Sequence, residues 1–293
     1  MRNSSHTEKL SNLPQTTAQT NNDTQLTKSQ DSKGQRSKGG VFVSNLLIVA
    51  GSLLLVGALV IGGYLAFGYL DAQNRYRNLS SDAGLNLPKE KGKISTSLTL
   101  EDIKVDWDKL HTKNPDVVGW IIIPGTKINY PVVQGTNNEF YLYHLFDGTS
   151  NSSGAIFADS HGSATLDGKC NYIYGHNMLD GSMFSDLLLY KSSDFLNKHQ
   201  TIFLATPVRN FELSAVATLR FLGTGALQKY TFEDDEEYVA YRDDLFDYAI
   251  YEANDLNRMR SRIESLYLFA TCDDPDSSYR IIVTAVPVRS IEA

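Results

Sequence analysis

The stretch Leu268–Val288, LFATCDDPDSSYRIIVTAVPV, decides how the chain is read. Two runs rich in β-branched and other apolar residues flank a polar loop carrying Asp273, Asp274, Pro275, Asp276, Ser277 and Ser278, the pattern of two strands joined by a turn. Cys272 closes the first strand and Arg280 opens the second. A thiol and a fixed positive charge thereby share one end of a sheet, an arrangement suited to attack on a carbonyl and to stabilising the oxyanion that follows. The pair still lacks an acid/base partner.

Outward from this hairpin the chain is mainly β. Val117–Val133, VVGWIIIPGTKINYPVV, reads as two strands around a turn, and further short strands are predicted at Gly154–Phe157, Tyr172–Gly175, Thr201–Ala205 and Phe211–Phe221. Leu100–Leu110 has apolar residues at helical spacing, and Glu233–Ile263 reads as a charged, helical insertion just before the Cys272 strand. Many short strands with few helices predict a barrel or sandwich with peripheral helices, an α+β chain dominated by β.

The N-terminal part has a different texture. Residues 1–40 are dense in Ser, Thr, Asn, Gln and Lys and have almost no large apolar side chains to offset chain entropy, which predicts a disordered tail. From Gly39 to Leu70 there is no charged residue. Leu46 to Leu70 is long enough to span a bilayer core of roughly 30 Å at ~1.5 Å per residue. A soluble core helix seldom stays apolar on every face over such a length, and the apolar region of a cleavable signal is shorter, at ~7 to 15 residues. Residues 41–70 therefore read as an uncleaved transmembrane signal anchor. Lys33, Arg36 and Lys38 precede it whereas Asp71, Arg75 and Arg77 follow, so the N-terminus is expected in the cytoplasm and everything after Leu70 outside the cell. Residues 71–97 read as a stalk and linker, and 98–293 as the folded domain.

Composition removes several function classes. The net charge is −7, and because residues 1–40 carry six Lys/Arg against three Asp/Glu, the remainder stands at about −10. This acidic body has no basic cluster dense enough for a nucleic-acid partner. Two cysteines without C-x-x-C or zinc-ligand spacing argue against a disulfide framework and a metal site, and no cofactor is expected.

The segment Asn171–Asp186, NYIYGHNMLDGSMFSD, supplies a candidate partner for the thiol: His176, at a strand end followed by a Gly-containing loop. Six histidines occur in the chain, and the residues alone leave open whether this one is a catalyst or a solvated side chain. Cys170 is a poor partner for it, since six residues along one strand at ~3.3 Å each put them about 20 Å apart. It reads as a packed residue, with a disulfide to Cys272 as the alternative.

YGHNM followed by DGSMFSDL, with a late Thr-Cys followed eight residues on by Arg, resembles the sortase family of surface transpeptidases. The resemblance extends through NPDVVGWI, INYPVVQGTNNEFYL and SSGAIFADSH, and so covers roughly residues 98–293. It implies a closed barrel of about eight strands, and Cys272, His176 and Arg280 as the catalytic residues. The implied reaction cleaves the C-terminal sorting signal of secreted proteins through a thioacyl intermediate, with transfer to the amine of a peptidoglycan precursor or a pilin lysine. The helix before the first strand, the insertion before the Cys strand and the GHNM-DGSMF wording resemble class B. Where the family pattern before the nucleophile is Thr-Leu-x-Thr-Cys, this chain has Leu268-Phe269-Ala270-Thr271-Cys272. Class B similarity further implies substrate contacts at Asn138, Leu142, Thr271 and Asp273, with packing inside the barrel as the alternative for Leu142 and Thr271. Asp273 and Asp274 beside the thiol are expected to oppose thiolate formation. An extracellular cysteine peptidase and an inert surface scaffold with the same barrel are the rival readings.

Overall fold

The structure is a computed structural model describing residues 38–223, 227–273 and 278–293; the predicted disordered tail up to residue 37 and the loop residues 274–277 lie outside the described residues. The chain divides into two units after Val56. Helix α1 (Lys38–Asp82) starts in the first, where Leu46, Leu47, Ile48, Leu53, Leu54 and Leu55 are all exposed. Leu59, Val60, Ile61, Tyr64 and Phe67, at the start of the second, are exposed as well, and the helix is long and apolar enough to cross a membrane.

The second unit is built on β1 (Lys89–Glu90), β2 (Lys93–Ile94), α2 (Trp107–Lys113), β3 (Val117–Ile122), β4 (Asn129–Val133), β5 (Ile156–Ala158) and β6 (Cys170–Tyr174). It continues with α3 (Ser193–Lys198), β7 (Thr201–Ala205), β8 (Arg209–Leu222), α4 (Asp235–Phe246), β9 (Ala249–Glu252), α5 (Leu256–Met259), β10 (Leu266–Cys272) and β11 (Tyr279–Glu292). Strands β11, β10, β6, β5, β4, β3, β7 and β8 are hydrogen-bonded in that order, and β8 pairs back onto β11, closing an eight-stranded barrel. The β4–β5 and β6–β10 pairs are parallel, and the rest of the barrel is antiparallel. Closure pairs every barrel strand on both sides, and only the part of β8 that runs on past β7 keeps an edge outside the barrel. Trp120, Ile121, Phe203, Leu204, Phe269 and Val283 fill the core, each at most 1 % exposed.

Three elements differ from the sequence reading. Leu100–Leu110 is two pieces, a 3₁₀ turn at Leu100–Asp102 and then α2, because two caps interrupt it. Asp102 accepts from the Thr99 amide, and Asp106 accepts from the Lys109 amide to start the second piece. Inside the predicted helical insertion lies β9, paired to Ala217, Thr218 and Leu219 of β8. It is short and mostly exposed, and forms because β8 runs on past β7 and offers a free edge there.

The third difference concerns residues 71–97, which pack on the barrel. Ala72, Tyr76 and Leu79 on α1, and Ala83 just past its end, recur at four- and three-residue spacing and are buried, as are Leu85 and Ile94 further on. The Tyr76 hydroxyl donates to the Gly154 carbonyl at 3.0 Å, and its ring meets Tyr130 edge-on at 5.2 Å. Arg75 bridges Asp71 of its own helix and Asp147 of the barrel loop at 2.8 and 2.7 Å. Leu79→Ala should therefore destabilise the whole domain by about 2–5 kcal/mol, the usual cost of such a cavity. Thermal unfolding checks this, since an undocked stalk would leave the midpoint unchanged.

Candidate active site

Strand pairing assembles the site. Cys272 and Arg280 are direct cross-strand partners at the open end of the β10–β11 hairpin. On its other edge β10 runs parallel to β6, from Leu266 opposite Cys170 to Ala270 opposite Tyr174, and the Gly175 amide donates to the Ala270 carbonyl at 3.1 Å. Cys272 lies two residues past Ala270, as His176 lies two residues past Tyr174. All three residues line one cavity of about 420 Å³.

The loop carrying His176 is tied down on both sides. Its Nε2 is 2.8 Å from the Leu142 carbonyl, which can only accept, so Nε2 carries a proton and the ring is oriented. The next side chain, Asn177, donates from Nδ2 to the Cys272 carbonyl at 3.2 Å, binding the histidine loop to the cysteine strand. Gly154 makes the approach possible. Its φ is +58°, and a Cβ there would stand 2.7 Å from the Leu142 carbonyl oxygen and 3.0 Å from His176 Cδ2. Gly223 plays a similar part for Arg280, since a Cβ on it would come 3.0 Å from the arginine's Cγ and Cζ.

Of the four residues expected to touch substrate, Asn138, Leu142 and Thr271 line the cavity. Asn138 is held by the Ser160 amide, which donates to its Oδ1 at 2.8 Å. Thr271 is buried, and its hydroxyl has no partner among the described residues. Asp273 is not among the lining residues. Its carboxylate is turned to Lys191 Nζ at 2.5 Å and Arg220 Nε at 2.7 Å. Burial pushes this carboxyl up, but the two cations outweigh burial and hold it below the usual carboxylate range. The anion that the sequence sets beside the thiol is thus neutralised by groups more than fifty residues away; Asp274 lies outside the described residues.

Cys170 is buried beneath α4, and burial pushes its thiol up to about 12. It sits opposite Leu266, six residues from Cys272 along β10, about 20 Å by strand rise. Both thiols are free, so the disulfide alternative is excluded.

The cavity has walls that the sequence reading passed over. Tyr172 and Tyr174, two apart on β6 and so on one face, both line it, as do Tyr143, Leu227 and Gln228. The Tyr172 hydroxyl donates to the Leu227 carbonyl at 2.8 Å, and Gln228 Nε2 donates to the Tyr174 hydroxyl at 3.2 Å, which fastens the segment before α4 over the cavity. The i, i+2 tyrosines were the available signal. Leu227 and Gln228 carry none. The arrangement offers a partly exposed thiol, an oriented imidazole and a guanidinium around an apolar-walled slot, which is what acyl transfer through a thioester needs.

Comparison with known proteins agrees with this geometry. A Sortase domain family model matches residues 121–288. The chain is 30 % identical over 222 residues to Sortase B of Listeria monocytogenes, an overlap of 76 % of this chain and 88 % of the relative. The X-ray structure of Clostridium perfringens sortase B is 27 % identical with a TM-score of 0.58, covering 63 % of this chain and 100 % of that one. A Staphylococcus aureus sortase B–substrate complex is 25 % identical with a TM-score of 0.61, covering 75 % and 98 %. The matched barrel, with the thiol, imidazole and guanidinium at one end, shows that this chain belongs to the sortase family and is a class B-like sortase.

Proposed function

We propose that the chain is a membrane-anchored cysteine transpeptidase that cleaves the C-terminal sorting signal of secreted proteins and transfers the product to an amine of the cell wall or a pilin. The observation that carries this reading is the convergence of Cys272, His176 and Arg280 on one cavity. The Cys272 thiolate attacks the scissile carbonyl, Arg280 stabilises the tetrahedral oxyanion, and protonated His176, its Nε2–H held by the Leu142 carbonyl, delivers its other ring proton, from Nδ1, to the departing amine. A second amine then resolves the thioacyl enzyme. Pairing of Asp273 with Lys191 and Arg220 supports the scheme, because it removes an anionic neighbour that would disfavour the thiolate. Asn138, Leu142 and Thr271 are the substrate contacts of this proposal. The exposed apolar run of α1 supports anchoring, and the basic residues before it support a cytoplasmic N-terminus with the catalytic domain outside the cell.

Incubation of the protein with sorting-signal peptides, with and without an amine acceptor, tests the reaction. Ligated product is expected only with the amine, and Cys272→Ala should yield neither cleavage nor ligation. Water-derived product alone would make the chain a peptidase, and no labelling of Cys272 by a thiol-reactive substrate mimic would make it an inert scaffold.

Arg280→Lys should lower kcat/KM by about 10²-fold or more, since a point ammonium cannot reproduce the guanidinium fork at a developing oxyanion. Near-normal turnover would remove Arg280 from the chemistry.

The Asp273 pairing also has a pH signature. The folded carboxyl titrates below its unfolded value of about 3.9, so its contribution is fully present above that value and is lost as pH falls through the folded one. Asp273→Asn should flatten the dependence of unfolding midpoint on pH in this acid window and leave the slope near neutrality unchanged.

A further inference from the structure

A second cavity, of about 620 Å³, lies between the last turns of α1 and the barrel. Three separate elements bring basic side chains to it: Arg77 from α1, Lys89 from β1 and Lys127 from the β3–β4 turn. None of the three forms an ion pair among the described residues, although nearby Arg75 and Lys113 are both paired. The one carboxylate in the wall, Asp180, is occupied by Gln73 Nε2 at 3.0 Å and by the Ser182 amide and hydroxyl at 2.9 and 2.6 Å. Ser153 also lines the cavity, is 1 % exposed, and has a hydroxyl without a hydrogen-bond partner among the described residues. Even with the Asp180 carboxylate in the wall and Asp186 accepting from the Lys127 amide at 2.7 Å, an acidic protein has thus gathered three cationic side chains and an idle buried hydroxyl around one hollow.

We propose that this cavity is a binding site for a phosphate group, presented by the headgroup of an anionic membrane lipid. A single carboxylate brings one charge and two oxygens, whereas a phosphate brings up to two charges and enough oxygens to engage the three cations and the Ser153 hydroxyl together. The lipid source rests on the membrane anchoring proposed above. With the apolar run of α1 in a bilayer, Arg77 stands seven residues past Leu70, about 10 Å along the helix, at headgroup depth. The headgroup would hold the barrel at a fixed attitude to the membrane, with the turn after His176 forming part of the same wall through Asp180–Met183.

The full chain in neutral-detergent micelles, titrated calorimetrically with dioctanoyl phosphatidic acid and separately with inorganic phosphate, tests this. Saturable lipid binding is expected, weakened tenfold or more in Lys89→Gln/Lys127→Gln and by about three- to tenfold in Ser153→Ala, one charge-assisted hydrogen bond. Lys104→Gln/Arg258→Gln removes the same charge elsewhere and should bind as the parent does. Tighter binding of the lipid than of inorganic phosphate supports the headgroup source; equal binding overturns it in favour of a free phosphate. No saturable binding, or equal weakening in the two double variants, overturns the site altogether. Sorting-peptide cleavage should persist in the Lys89/Lys127 variant. Cleavage absent from the parent protein would reject the transpeptidase reading alone, and failure to co-sediment with neutral vesicles would reject the anchoring alone, while the phosphate titration still decides the cavity.

Discussion

The parallel pairing of β6 with β10 is the constraint on which the site depends. Five register pairs and the Gly175-to-Ala270 hydrogen bond determine how far each strand has run when it leaves the sheet, and therefore that His176 and Cys272 emerge side by side. A slip of one residue would turn Cys272 to the other face of the sheet and part it from both partners. The antiparallel pairing with β11 does the same for Arg280, so a single central strand sets both distances. Barrel closure through β8 and β11 keeps that register, because a closed sheet cannot shift one strand without shifting them all.

Electrostatics at the strand end depend on long-range contacts. Asp273 follows the thiol directly in the chain, yet its carboxylate is held by Lys191, before α3, and by Arg220, near the end of β8. Arg220 also lies over the Tyr279 ring, 3.8 Å from its centre, so the cation that neutralises Asp273 is packed against the residue beside Arg280. The acid near the cysteine thus acts as a clamp between β8 and the hairpin.

Much of this was legible in the sequence where the signal is local. The alternation and turn residues of Val117–Val133 and Leu268–Val288 announce strands, and the uncharged run from Gly39 to Leu70 announces its own character. Cys272, His176 and Arg280 stand in motifs that can be recognised one by one. Features set by tertiary pairing were not legible. Nothing in AIYE at Ala249–Glu252 marks a strand until the free edge of β8 is known, and nothing beside Asp273 points to Lys191 or Arg220. The docking of residues 71–97 was hidden for another reason. Its buried stripe of Ala72, Tyr76, Leu79 and Ala83 is made largely of small residues and an aromatic, interleaved with Arg and Asn, and reads as polar stalk when averaged.

That docking bears on the chemistry through one residue. The Gly154 carbonyl receives the Tyr76 hydroxyl from α1, while its α-carbon sits so close to the Leu142 and Tyr141 carbonyls and to His176 that no side chain fits. The Leu142 carbonyl is the same group that orients the imidazole. The helix, the loop that supplies the histidine's acceptor and the histidine itself therefore meet at a single peptide unit. A rigid α1 dock holds that unit in place, and a displaced one would move the acceptor before it disturbed the thiol, because Cys272 is fixed independently by strand pairing. The imidazole is for this reason the member of the triad whose position depends on the N-terminal helix as well as on the barrel.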